Sequence, residues 1–121
     1  MADPLVGEDF LAAVAAYTQA VADAVHTAAD RASAHVQESL AREAQASTRW
    51  ADIAQDIQVY ANDGRYWVGV QSPGAVSEAM SAEYGDATHP PVPLIRAGEV
   101  RYNREAADIM EEHLQPVLGA V

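Results

Sequence analysis

The chain has 121 residues, no cysteine and a formal net charge of −11, from eighteen acidic and seven basic residues. This length fits one domain, and the lack of cysteine excludes disulfides, thiol catalysis and cysteine-based metal sites. The acidic balance argues against a protein that wraps nucleic acid, because phosphate binding needs clustered basic side chains. Residues 1–7 lack the basic segment of a signal peptide, so we expect synthesis and folding in the cytoplasm.

Residues 8–46 have the spacing of one long helix. Apolar or small side chains recur every three or four residues, and neither proline nor glycine interrupts residues 8–61. Such a helix would be roughly 58 Å long at 1.5 Å per residue. A compact globule of this size is roughly 35 Å across, so we expect the helix to bend, to break or to project.

The first half of this helix is almost uncharged. Between Phe10 and Ala29 the one acidic or basic residue is Asp23. A helix that is apolar nearly all round should be covered, and the rest of the chain is too small to cover it. We therefore predict that other subunits contact it; the interface residues predicted here are Phe10, Val14, Val21 and Val25. A plain helical hairpin or bundle is the alternative, and Asp23 argues against a membrane span.

Residues 56–71 predict a β-hairpin. Apolar and polar side chains alternate up to Asn62-Asp63-Gly64, whose residue types tolerate positive φ in a tight turn. The returning strand, residues 65–70, is aromatic and β-branched. Two strands alone are marginally stable in water, so we predict support from a packed helix or a further strand, including one from a neighbouring chain. Trp67 in the returning strand is a further predicted interface residue.

Glycine and proline mark the boundaries of the remaining predicted elements. Residues 75–84 predict a short helix that Gly85 ends. One side of it carries Val76, Ala79, Met80 and Tyr84. Residues 85–93 predict a stiff extended connector, because each proline fixes its own φ and restricts the residue before it. Residues 94–115 predict an amphipathic helix that Pro116 ends. The chain is thus predicted to be a single α+β domain (1–121): a long N-terminal helix, a small antiparallel sheet built on the hairpin, the connector and a C-terminal helix.

No catalytic constellation is present in the sequence. The four histidines are scattered without metal-ligand spacing, and no nucleophile elbow, phosphate-binding loop or dinucleotide fingerprint occurs. Asp86 and His89 could form a carboxylate–imidazole pair, but a loop aspartate that caps local backbone is the preferred interpretation. We predict no enzyme activity, no cofactor and no metal.

Residues 82–98, AEYGDATHPPVPLIRAG, carry a family resemblance. The segments Glu83-Tyr84-Gly85 and Pro93-Leu94-Ile95-Arg96 resemble the signature of siphophage head–tail connector, neck and tail-completion proteins, a putative tail-component family. In that family a Glu-aromatic-Gly segment and a proline-rich link precede a helix that opens with Pro-Leu-Ile-Arg or similar. The order of elements is also similar. Residues 47–50 and the near absence of bases in the first helix depart from the family pattern.

The resemblance implies a homo-oligomeric ring, six- or twelve-fold, that joins head to tail in the virion. Its partners would be other neck and tail proteins, with DNA passing non-specifically through the channel and no membrane contact. The proline-locked segment would then reach a neighbour, which adds Pro91, Leu94, Ile95 and Arg96 to the predicted interface. We also predict that Arg96 anchors the start of the last helix through a carboxylate or carbonyl group.

A small helical interaction module that dimerises through the first helix is the alternative function. Such a module would be cytoplasmic, or secreted like the helical hairpins of actinobacterial type VII systems. Trp67-Val68-Gly69 matches the W-x-G motif of those hairpins. However, it lies within an alternating strand, and the prolines that follow would break a second long helix.

Overall fold

A computed structural model describes residues 8–119 and confirms the α+β fold class. The elements are α1 (Glu8–Ala46), a 3-10 helix (Ala51–Asp56), β1 (Gln58–Asn62), β2 (Arg65–Gly69), α2 (Pro73–Tyr84) and α3 (Leu94–Leu118). The bounds of α1 agree with the predicted range. The predicted domain, 1–121, includes a few residues at each end that lie outside the described part of the chain.

α3 packs antiparallel against the C-terminal half of α1. His35 in the middle of α1 lies 2.8 Å from Glu105 of α3, measured from Nε2 to Oε1. Glu43 near the end of α1 accepts a hydrogen bond of 2.5 Å from the hydroxyl of Tyr102, near the start of α3. Because α3 has 25 residues and α1 has 39, the N-terminal part of α1 extends past its partner.

Residues 8–23 of α1 form what we call the projecting segment. Every residue from Glu8 to Ala20 is exposed, and Val21 is half-buried. At 1.5 Å per residue the segment is roughly 24 Å long. Of the outcomes expected for the first helix, which were that it bends, breaks or projects, the structure shows an unbroken helix that projects.

The hydrophobic core lies at the other end of α1. Its two largest fully buried side chains are Trp50 and Ile57, which pack with Leu40 and Tyr102 and with alanines of α1 and α2. The indole Nε1 of Trp50 donates a hydrogen bond of 2.8 Å to the carbonyl of Val92. The core thereby ties the 3-10 helix to the proline-rich connector.

The hairpin has the predicted tight turn. Asn62 pairs with Arg65, and Asp63 and Gly64 between them have φ values of 51° and 74°, as a type I′ turn requires. Within residues 8–119 the sheet has two strands, and α1 supports it: the hydroxyl of Tyr66 donates a 2.9 Å hydrogen bond to Asp30. A strand added by a neighbouring chain stays a prediction.

One predicted detail of the helices is wrong. Pro116 does not end α3, which continues to Leu118. A proline in the last turn removes one backbone hydrogen bond, and its fixed φ still fits the helix. In α2 the small residues Ala75, Ala79 and Ala82 face the core, while the larger Met80 is 55 % exposed. Close packing of α2 against the core requires small side chains on the inner face, so the large apolar side chains of α2 lie on the outer face.

Gly98 in α3 gives the first testable prediction. The helix continues through Gly98, where an added Cβ would lie 3.0 Å from Cδ2 of Tyr102 and closer to Cε2. That ring cannot move away freely, because it is buried and bonded to Glu43. Burial and Glu43 also raise the pKa of Tyr102 to about 12, so its hydroxyl remains a donor at neutral pH.

We expect Gly98→Ala to lower the free energy of unfolding by about 1–3 kcal/mol, as overpacking does. Gly74→Ala is the matched control, since it also lies in a helix but has nothing within 4 Å of the added Cβ. The control should be neutral or stabilising by up to about 1 kcal/mol. Urea unfolding measures both, and a stabilised Gly98→Ala would contradict the packing described.

Candidate functional site

The Glu83-Tyr84-Gly85 motif binds directly to the start of α3. The Glu83 side chain is 6 % exposed; its Oε1 accepts from the backbone N–H of Ile95 at 2.9 Å. Its Oε2 accepts from both the backbone N–H and the Nε–H of Arg96, each at 2.9 Å. Nη2 of Arg96 donates to the carbonyl of Glu83 at 2.6 Å. We call residues 83–85 and 94–96 with these contacts the helix clasp.

The clasp provides hydrogen-bond acceptors for the first backbone N–H groups of α3, which have no capping side chain of their own. The first N–H groups of any helix lack partners within it, and the helix dipole favours a negative charge at that end. Pro93 occupies the capping position and has no side-chain oxygen to offer. The carboxylate of Glu83 supplies the acceptors from the end of α2. The prediction that Arg96 anchors the helix through a carboxylate or carbonyl is confirmed, and it uses both.

The other two motif residues also have partners within the chain. The guanidinium carbon of Arg96 lies 4.4 Å from the centre of the Tyr84 ring, within cation–π range. Gly85 has a φ of 82°, and an added Cβ would lie 2.9 Å from Cδ of Pro91. A side chain at Gly85 is therefore excluded both by conformation and by the proline. Each of the three motif residues therefore has a structural role in contacts within one chain.

Asp86 organises the loop after the clasp. Its Oδ1 accepts from the backbone N–H groups of Thr88 and His89 at 2.9 and 2.8 Å. Its Oδ2 accepts from Ser81 Oγ at 2.5 Å and from Arg49 Nη2 at 3.1 Å. The bonds from Ser81 and from Thr88 hold the pKa of Asp86 well below its usual range. Asp86 thus caps local backbone, as preferred from the sequence.

The same cluster lacks the arrangement of a nucleophilic triad. Asp86 lies between Ser81 and His89, whose Nδ1 is 3.2 Å from Oδ1 of Asp86. The hydroxyl of Ser81 therefore donates to a carboxylate instead of to an imidazole, which is not the serine–histidine contact of a triad. Arg49, a residue that sequence reasoning did not single out, completes the cluster from 37 positions away along the chain.

An apolar groove of about 500 Å³ runs between α1, β2 and α3. Side chains on all three elements form its walls, including Val25, Ala29 and Val36 of α1, Tyr66 and Val68 of β2, and Ile95, Ala106 and Met110 of α3. Among the described residues that line it, Glu99 is the one acidic or basic side chain. We call this surface the α1–α3 groove.

The predicted interface residues fall in four separate places. Phe10 and Val14 are each 46 % exposed on the projecting segment, next to the half-buried Val21. Val25 and Ile95 line the α1–α3 groove. Trp67 is half-exposed on the hairpin, opposite Tyr60.

The last three belong to the connector and the start of α3. Leu94 packs against the chain's own core, Arg96 is held in the clasp and Pro91 is exposed beside Gly85. For Leu94 and Arg96 the structure therefore shows partners within the chain. Contact of any of the nine residues with another subunit stays a prediction.

The outward direction of the apolar side of α2 was missed from the sequence. Val76, Met80 and Tyr84 of α2 are 37 %, 55 % and 56 % exposed and lie four residues apart. The signal that could have found it is the spacing of the alanines at 75, 79 and 82, which allow α2 to approach the core closely. This stripe ends at the clasp, because Tyr84 belongs to both.

The structure gives no sign of a membrane span or a metal centre in the described range. None of the helices within residues 8–119 combines the length and apolar character needed to cross a bilayer. The histidines and carboxylates of the same range form no cluster of three or more that could hold a metal ion. No family model, curated protein or solved structure matches the chain.

The clasp gives the second testable prediction, through a double-mutant cycle on Glu83 and Arg96. Glu83→Gln removes the charge but keeps the shape, and Arg96→Ala removes the guanidinium. Because the two groups share a charge-assisted contact, we expect a coupling energy of about 1–3 kcal/mol in urea unfolding.

Arg104→Ala is the control, since Arg104 is exposed on α3 and forms no ion pair within residues 8–119. Its effect should stay within about 0.5 kcal/mol. Strictly additive effects at Glu83 and Arg96 would show that the clasp does not hold α3.

Proposed function

We propose that this chain is a structural ring subunit of a tailed-phage neck, joining the head side to the tail around the DNA channel. The observation that carries the proposal is the projecting segment, an apolar stretch of helix that extends past the elements packed against the rest of α1. Phe10, Leu11 and Val14 are 46 %, 59 % and 46 % exposed. A contiguous exposed apolar surface of this kind marks a protein–protein interface.

The helix clasp supports the same function. Residues 83–85 and 93–96 carry the family resemblance, and the structure shows why those residue types occur together. They fix the direction of α3, and with it the position of α1, before any partner arrives. A subunit whose surfaces are already oriented loses little conformational freedom on assembly.

The charge of the chain also fits a neck subunit. The net charge of −11 gives a surface that repels DNA, so a duplex in the channel would slide instead of adhering. The proposed partners are further copies of the chain and the adjoining neck and tail proteins. The proposed location is the virion, after synthesis in the bacterial host.

A dimeric interaction module is the second candidate function. The observation in its favour is the spacing of Phe10, Val14, Tyr17 and Val21, which are four, three and four residues apart. That spacing is typical of a two-stranded coiled-coil seam. On this proposal two projecting segments would pair with each other, and no ring would form.

Imaging of native particles tests the neck function. Cryo-electron microscopy of virions that carry the gene should show six or twelve copies of the α1–α3 pair around the channel between head and tail. If the protein is instead found as a dimer outside the particles, and the neck shows no density for it, the proposal is contradicted and the interaction module is favoured.

A charge-insertion pair gives the third testable prediction. Val21→Asp together with Val25→Asp puts two carboxylates on the apolar face of α1, where burial without partners costs several kcal/mol. We expect assembly to be lost, as measured by light scattering, while the monomer keeps its helix content. Ala12→Asp together with Ala16→Asp adds the same charge at the same spacing on the opposite face of α1 and should assemble. Normal assembly of the Val21 and Val25 variant would show that subunits do not meet on this face.

A further inference from the structure

We infer that the projecting segment of one copy binds in the α1–α3 groove of the next copy, so that each subunit gives one helix and receives one. The inference rests on the proposed ring function and names the contact that closes the ring. The partner is a second copy of this chain, and the bound part is residues 8–23 of α1.

The two surfaces have matching lengths. Along α1 the groove extends from Val25 to Leu40, and the projecting segment covers residues 8–23. Each stretch is sixteen residues of the same helix, roughly 24 Å at 1.5 Å per residue. The apolar stripe of the segment and the α1 wall of the groove therefore have the same length along the helix axis.

The two surfaces also match in chemistry. The projecting segment carries its acidic residues, Glu8, Asp9 and Asp23, at its ends and has no charge between Phe10 and Ala22. The groove has Glu99 as the one acidic or basic side chain among the described residues that line it. Alanines in its walls leave room for the larger Phe10, Val14 and Tyr17 of an incoming helix. Burial of such side chains supplies the favourable free energy that two like-charged copies need to associate.

The groove cannot be filled by the segment of its own chain. Residues 8–23 and 25–40 belong to one uninterrupted helix, so the segment points away along the line of the groove wall. A copy can bury both surfaces by giving its segment to one neighbour and receiving a segment from another, as in a ring, or by exchanging segments with a single partner, as in a dimer. Contacts between two different surfaces of identical chains generate a closed ring when the rotation permits.

Cysteine cross-linking tests the contact cleanly, because the chain has no cysteine of its own. Val14→Cys places a thiol on the apolar stripe of the projecting segment, and Ala106→Cys places one in the groove. The two single variants, one of them extended by a tag to distinguish its mass, are mixed and treated with a short bismaleimide. We expect the mixed dimer of Val14→Cys with Ala106→Cys to be the major linked product.

Ala16→Cys replaces Val14→Cys in the matched control, because residue 16 lies on the opposite face of α1. This control should lose the mixed product. A dominant link between two Val14→Cys chains would overturn the inference and favour segment pairing in a dimer. Absence of the mixed product from a protein that still has the mass of a six- or twelve-fold ring would overturn the inference alone. A monomer or dimer by mass would overturn the ring, and the absence of the mixed product from it would overturn the inference as well.

Discussion

The buried carboxylate of Glu83 fixes the geometry on which the rest of the molecule depends. It lies at the end of α2 and accepts two backbone N–H groups and the Nε–H of Arg96 at the start of α3. A buried carboxylate is costly unless such partners compensate it, so both sides of the contact must form together. The extended connector between them leaves few other conformations, because its prolines fix φ. α3 therefore leaves the clasp in one direction.

That direction determines which surfaces the protein offers. α3 runs back along α1 and is fastened by Glu43 near its start and by His35 further on. The helices enclose the α1–α3 groove with β2, and α3 ends before it reaches the projecting segment. The bare helix follows from the difference in length between α1 and α3, whereas the groove lies where α1, β2 and α3 meet. On the proposed ring function, the bare helix of one copy would bind the groove of a neighbouring copy.

Much of the fold could be predicted from the residues, and the exceptions have physical reasons. The absence of proline and glycine in residues 8–46 predicts α1, and Asn62-Asp63-Gly64 predicts the hairpin turn, because both depend on local conformational preferences. Arg96 could be named as an anchor, whereas the burial of its partner Glu83 depends on packing that the sequence does not reveal. Contacts such as Arg49 with Asp86 join distant parts of the chain and have no local signal. Val76, Met80 and Tyr84 could be placed on one side of α2, but the outward direction of that side depends on how closely α2 packs against the core, which has no local signal.

The central claim is that one rigid subunit assembles with copies of itself into a closed ring. Native mass spectrometry of the purified chain over a wide range of concentration tests this most directly. The account predicts one dominant species of six or twelve subunits, with smaller species disappearing as the concentration rises, because a closed ring leaves no surface free to grow. A monomer or a dimer that persists at every concentration would contradict it.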